Sequence, residues 1–328
     1  MYLYKIMYNL DLKDRKILYE LDFYAGQSLK QIAKKVRLSP EVVHYRIKKL
    51  EKEGIITNYM TIVDISRLGA LQFKLYFQFG DYTNEFEKGA IEFLKEKGNV
   101  IWVVSCVGTW DLLVAIETET IKEFNNLKSE ILEKFSGHIV KVSTTNMIES
   151  ITYRRDYLLN KKGFREEALL VGEEGKIELD KLDKEIINEL IKNGKSSIVE
   201  ISTKLKSTTR IINYRIKQLE KKGLIKGYRI SLNYEKIGYK FYKCFIKLKN
   251  INQLRIKDFI TYCKSNPNII HYVQVLGDWD LEPEFEIEND ESFYEIIRDI
   301  RNKFSDIINT LDIVRITKEH KYNYFYVK

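Results

Sequence analysis

An internal repeat at a spacing of 169 residues constrains this chain more than any other feature, because each copy must fold as a unit and then be joined to the other. Tyr45-Arg46-Ile47-Lys48 recurs as Tyr214-Arg215-Ile216-Lys217, Leu50-Glu51-Lys52 as Leu219-Glu220-Lys221, and Gly54 and Ile56 as Gly223 and Ile225. The offset holds downstream, where Gly108-Thr109-Trp110-Asp111-Leu112 matches Gly277-Asp278-Trp279-Asp280-Leu281 and Tyr153 matches Tyr322. No gap is needed from Asp11/Asp180 to Leu159/Lys328. A length of 328 residues is too great for a single core to be the default, and the repeat divides it into two similar units.

Within each unit the hydrophobic period changes once. Ile17/Leu21, Leu29/Ile32/Ala33/Val36 and Val43/Ile47/Leu50 follow helical spacing, as do Ile186/Leu190, Ile198/Ile201/Leu205 and Ile212/Ile216/Leu219. Ser39-Pro40 starts the third helix, with serine as N-cap and proline where a missing N–H costs nothing. Ile55–Asp64 then reads as a short extended pair or wing. From Leu71 the period becomes two, with Leu71, Phe73, Leu75, Phe77 and Phe79 on one face and Gln72, Lys74, Tyr76 and Gln78 on the other. Helix, two strands, helix and a final strand follow. The fold class is α+β: two copies of a winged helix-turn-helix domain followed by a ferredoxin-like βαββαβ domain. The expected domains are 1–64 and 65–156, a connector at 157–179, then 180–233 and 234–328.

Composition excludes several classes. Cys106, Cys244 and Cys263 are odd in number and far apart, which argues against a disulfide framework and for a reducing compartment. His44, His138, His271 and His320 have no metal-ligand spacing, and neither a metal nor a cofactor is expected. No run of apolar residues is long enough for a signal peptide or a membrane span, so a cytoplasmic protein with no membrane partner is expected.

The net charge of +8 is unevenly placed. Residues 11–60 carry +4 and residues 180–229 carry +7, leaving −3 on the rest of the chain. The trihelical heads thus hold the surplus that phosphate neutralisation requires. With Val43, Ile47 and Leu50 turned inward, the third helix of the first head presents Ser39, Glu41, Val42, His44, Tyr45, Arg46 and Lys49. Its counterpart presents Thr208, Arg210, Ile211, Asn213, Tyr214, Arg215 and Gln218. In a helix-turn-helix this helix enters the major groove of double-stranded DNA. Arg46 and Arg215, with Lys48/Lys217 and Lys52/Lys221, are expected to hold phosphates, while Arg210 and Asn213 suit guanine and adenine edges.

SLKQIAKKVRLSPEVVHYRIKKLEKEGII, followed by a βαββαβ domain with Gly-x-Trp-Asp in the turn between its second and third strands, resembles the Lrp/AsnC family of feast/famine transcriptional regulators. The resemblance covers nearly all of both units. It departs from the family at Thr208-Thr209, where the first head has Ser39-Pro40, and at Arg37 and Lys206, where a turn glycine is expected. It implies a DNA reader joined to an effector-binding and oligomerisation domain, no enzyme, and an amino acid or other small effector. Candidate effector residues are Gly108, Thr109, Trp110 and Asp111, and Gly277, Asp278, Trp279 and Asp280; a tight hairpin would call for the same residues without any ligand. Family members carry one unit per chain and dimerise through their sheets. Two units in one chain imply an intrachain pseudo-dimer on an asymmetric operator, with homo-oligomerisation beyond it open. Pro283, where the first copy has Val114, is expected to force a bulge. Two alternatives stand beside this reading. One is an enzyme like the sirohaem decarboxylases, which resemble the family in fold and occur as fused tandem units; the other is a ligand sensor whose heads no longer bind DNA. The sheet around Val100–Glu117 offers neither Arg nor His for tetrapyrrole carboxylates, and its counterpart offers only His271.

Overall fold

A computed structural model describes residues 7–161, 163, 165–172 and 175–322. Positions 1–6 and 323–328, which open the first expected domain and close the last, lie outside the described residues. The first unit runs α1 (Leu12–Tyr24), α2 (Leu29–Val36), α3 (Pro40–Lys52), β1 (Ile56–Val63), a 3-10 turn, β2 (Leu71–Phe79), α4 (Asn84–Glu96), β3 (Val100–Gly108), β4 (Leu112–Thr118), α5 (Ile121–Lys134) and β5 (Ile139–Tyr153). After a second 3-10 turn (Asp156–Leu159) comes β6 (Glu167–Val171), inside the expected connector. The second unit repeats the order as α6 (Lys181–Lys192), α7 (Ile198–Lys204), α8 (Thr209–Lys221), β7 (Ile225–Leu232), β8 (Lys240–Leu248), α9 (Gln253–Ser265), β9 (Ile269–Leu276), β10 (Leu281–Ile287), α10 (Asp290–Lys303) and β11 (Ile308–Tyr322).

Local chemistry sets the ends of the head helices. Ser39 Oγ accepts from the Val42 amide and Thr208 Oγ1 from that of Ile211, so each third helix has a side-chain N-cap. Arg37 and Lys206 adopt φ of +57° and +50°, the left-handed conformation for which the family pattern supplies glycine. The stripes Val43/Ile47/Leu50 and Ile212/Ile216/Leu219 are buried.

The extended segment after each head is one strand rather than a hairpin. β1 finds its partner in the other unit, pairing antiparallel with β7 so that Met60 faces Arg229, its own counterpart in the repeat. The contacts around this ribbon come in pairs related by the repeat: the Ala25 amide donates to the Tyr228 carbonyl and the Gly194 amide to that of Tyr59, each at 2.9 Å. Each head therefore rests on the other's wing.

The strands of both ferredoxin-like domains form one sheet ordered β2-β4-β3-β11-β8-β10-β9-β5-β6, and an added β2–β5 pairing closes it on itself. Closure depends on the 15-residue strands β5 and β11. The first half of β5 pairs with β2 and its second half with β9, while β11 pairs first with β8 and then with β3. Phe73, Leu75 and Phe77 pack outward beneath α4 and α5, and the second unit repeats this outer core beneath α9 and α10. The opposite face of β2 is not a solvent face, since Lys74 and Tyr76 lie in the closed interior, 5% and 0% exposed. The irregularity expected at Pro283 falls one residue on, between Glu284 and Phe285 in the pairing with β9. The connector is more than a spacer: β6 pairs with β5 at the open edge.

Candidate nucleic-acid interface

On α3, Ser39, Glu41, Val42, His44, Tyr45, Lys48, Lys49 and Lys52 are exposed. On and beside α8, Thr208, Arg210, Ile211, Tyr214, Lys217 and Lys221 are exposed, and Asn213 and Gln218 half-buried. Tyr45 and Tyr214, 67% and 60% exposed, give both helices an aromatic edge that no core requires. The two arginines behave differently from the lysines. Arg46 donates to Asp11 and Asp14, both at 2.7 Å, and Arg215 to Asp180 at 2.6 Å and Asp183 at 3.2 Å. Each guanidinium ties its third helix to the start of its first, so much of its charge is met inside the head. The exposed positive charge of these helices rests chiefly on the lysines, of which Lys48 also pairs with Glu51 at 2.9 Å. Glu51 is drawn further into the structure: burial would raise its carboxyl, but Lys195 of the other head at 2.7 Å, with Lys48 and Tyr59, holds it down to about 2.

The two Gly-x-Trp-Asp turns are packed from within. Trp110 and Trp279 are buried, their rings 5.9 Å apart, and both meet Tyr76, at 5.9 and 4.6 Å. Asp111 accepts from the Phe79 amide at 2.8 Å and Asp280 from that of Leu248 at 2.7 Å, fixing each hairpin to its neighbouring strand. A methyl group on Gly108 would stand 2.5 Å from the Ile313 carbonyl oxygen, so β11 crosses directly over that turn. At the second turn Ser143 donates to Asp278 at 2.6 Å, and a methyl group on Gly277 would stand 2.8 Å from the Thr144 carbonyl oxygen and from Thr145 Cγ2. Gly108 and Gly277 remain exposed and Thr109 half-buried. In each turn the tryptophan packs inward and the aspartate serves the backbone.

The closed interior holds what the sequence reading did not anticipate, a buried charge cluster. Glu282 accepts from Lys74 at 2.8 Å, Lys243 at 2.6 Å and Trp279 Nε1 at 2.7 Å, and also from Tyr76. Lys243 donates to Glu284 at 2.7 Å. Arg155 bridges Glu286, at 2.7 and 2.9 Å, and Asp22, at 2.6 Å; Arg229 donates to Asp22 at 2.9 Å. Burial opposes ionisation of Glu282, yet Lys243 and Lys74 hold its carboxyl down to about 2. Arg155, Arg229, Lys74 and His271 thus converge on one space, although no single unit supplies them. Burial drives His271 down to about 3, which leaves it neutral. A cavity of about 140 Å³ lies beside this cluster, between the closed sheet and the wing ribbon. Much of its lining is made of counterparts in the repeat, among them Met60/Arg229, Gln72/Phe241, Trp102/His271, Ala115/Glu284, Glu117/Glu286 and Ser150/Glu319, whereas of the pair Lys74/Lys243 only Lys74 reaches it. The signal was present in Glu282-x-Glu284-x-Glu286 on a strand whose other face is apolar, but a polar row reads as a solvent face until something is known to cover it.

Comparison with known proteins places the heads in a family. A winged helix-turn-helix DNA-binding model matches residues 10–57 and again 179–226. An uncharacterized helix-turn-helix-type transcriptional regulator of Pyrococcus abyssi is 30% identical over 148 residues, covering 43% of this chain and 90% of the relative. The leucine-responsive regulatory protein of Rhizobium meliloti is 27% identical over 147 residues, 44% of this chain and 94% of its own length. Among solved structures the sirohaem decarboxylase NirDL matches 96% of this chain and 94% of its own with a TM-score of 0.61 at 12% identity, a likeness of fold. One-unit regulators align with about half of this chain along nearly their full length, and a two-unit architecture aligns with all of it. The chain belongs to the Lrp/AsnC family of helix-turn-helix transcriptional regulators, with the whole regulator unit present in tandem.

Proposed function

We propose that this protein is a sequence-specific DNA-binding regulator in which two unlike heads, carried as an intrachain pseudo-dimer, read an asymmetric operator, and that a small molecule such as an amino acid modulates it. One observation carries the reading: α3 and α8 share caps and buried stripes but carry different outward residues, Glu41 against Arg210, His44 against Asn213 and Lys49 against Gln218. Identical heads would favour a palindrome, whereas these two favour unlike half-sites. The interlocked β1–β7 ribbon and the shared closed sheet support the pairing of the two units within the chain. The small-molecule part rests on the family, and calorimetry with a panel of amino acids tests it.

Gel shifts across a salt series, combined with light scattering, test the DNA-reading part. The expected result is a colourless 39.0 kDa particle that occupies one operator per chain. Replacing Lys217 or Lys52 should weaken binding to all sequences and flatten the salt dependence by about one unit. The likeness to a sirohaem decarboxylase keeps an enzyme reading in view. Against it stands the cavity of about 140 Å³, since even a drug-sized ligand takes a pocket of roughly 300–1,000 Å³. Tetrapyrrole absorbance in the purified protein, without a DNA shift, would favour the enzyme.

A further inference from the structure

We propose that the cavity between the closed sheet and the wing ribbon binds a small organic cation, a primary ammonium on an apolar body of about six heavy atoms, and that Glu117 is the carboxylate that receives it. The pseudo-symmetry of the fold makes the argument. Glu117 and Glu286 occupy the same position in the two units and face the same cavity. Glu286 is met by the Arg155 guanidinium, at 2.7 and 2.9 Å, and by Tyr157. Glu117 is 1% exposed and receives only the Gln72 side-chain amide, at 2.8 Å; its Oε2 has no hydrogen-bond partner among the described residues. The counterpart of Arg155 in the repeat is Tyr324, which brings no positive charge. One copy of the site therefore carries its own cation and the other has a buried carboxylate aimed into a cavity.

The charge balance agrees. Lys74, Lys243, Arg155 and Arg229 are matched by Asp22, Glu282, Glu284 and Glu286. Glu117 and Glu319 stand beyond that balance, and Glu319 receives the Trp102 indole N–H at 3.0 Å. With no cation beside it, burial raises the Glu117 carboxyl to about 8, and an entering ammonium would offset the cost of ionising it. The walls suit the rest of such a molecule: Trp102, Met147, Phe241 and Ile270 line the cavity, and an indole face also attracts a cation. An organic cation fits better than a metal, because among the described residues no three His, Cys, Asp or Glu side chains are grouped to hold one. The volume, about 140 Å³, is close to that of an engineered cavity that accepts benzene.

The test titrates the full chain, without DNA, with n-pentylammonium, cyclohexylammonium and benzylammonium, and with 1-pentanol, cyclohexanol and benzyl alcohol as neutral matches, followed by calorimetry and tryptophan fluorescence. At least one ammonium should bind about tenfold or more tightly than its alcohol, and E117Q should remove that preference. Equal binding of ammonium and alcohol, no ammonium binding below about 10 mM, or a folded E117Q that keeps the preference would overturn the proposal. If E117Q does not fold, E117D decides: a changed preference for the ammonium over its alcohol supports the site, and an unchanged one refutes it.

Discussion

The inner faces of β4 and β10 hold the same place in two copies of one fold, yet one presents Leu113, Ala115 and Glu117 and the other Glu282, Glu284 and Glu286. Two identical chains related by symmetry could not differ in this way. Fusing them lets one half carry three of the four paired carboxylates and both halves contribute the cations, so the interior is held by charge pairs that cross the unit boundary, such as Lys74–Glu282 at 2.8 Å and Arg155–Glu286 at 2.7 Å. The difference teaches that tandem duplication frees an interface from self-complementarity, and the recognition helices exploit the same freedom at the surface.

Substituting the corresponding lysines breaks the comparison most sharply. Lys243 serves both Glu282 and Glu284, whereas Lys74 serves Glu282 alone. K243M leaves two buried carboxylates short of a partner and should cost about 3–5 kcal/mol; K74M leaves Glu282 with Lys243 and should cost about 1–3 kcal/mol. Urea midpoints compare the two, and equal losses would mean that the halves are not energetically distinct.

The two carboxylates on these strands should also give stability opposite pH dependence. Burial pushes Glu117 up from 4.5 to about 8, so its contribution is complete below the ordinary value and is lost as pH rises through about 8, with a slope near 1.4 kcal/mol per pH unit. Despite burial, Lys243 and Lys74 hold Glu282 at about 2, so its contribution is present above the ordinary value of 4.5 and is lost as pH falls through about 2. Urea midpoints between pH 6 and 9 should fall for the unaltered chain and less steeply for E117Q. Parallel curves would remove Glu117 from the account.

Much of this was legible in the sequence, and the gaps have a common cause. The repeat, the helical stripes ending in Leu50 and Leu219 and the strand Leu71–Phe79 follow from local periodicity, which backbone geometry enforces, and the cap at Ser39 from the Ser-Pro pair that opens its helix. What escaped depends on partners far away in the chain. Lys74 and Tyr76 alternate with phenylalanines as a solvent face would, and only closure of the sheet by β5 and β11 buries them. Likewise Ile56–Val63 is extended in either reading, but its partner lies 169 positions away in the other unit. The short strand Glu167–Val171 was concealed within a connector rich in charge and glycine. At the candidate DNA face, periodicity identified the outward residues, but the ion pairs that engage Arg46 and Arg215 required the first helix of each head to be in place.

Two smaller predictions sharpen the comparison at the heads. R210A should cost about 1–3 kcal/mol of binding and relax base preference in only one half of the operator, while H44A should affect the other half; footprinting on operators altered in one half separates them. R37G and K206G should each raise stability by about 0.5–1 kcal/mol, because both positions already hold a positive φ, +57° and +50°. A lowered urea midpoint in either variant would show that the side chain, not the backbone, matters there.

The central claim, that one chain carries two unlike DNA-reading heads, is tested most directly by selecting bound duplexes from a random library with the purified protein and sequencing them. The account predicts a recovered site with two different half-sites in a fixed order. A perfect inverted repeat, read equally by both halves, would contradict it.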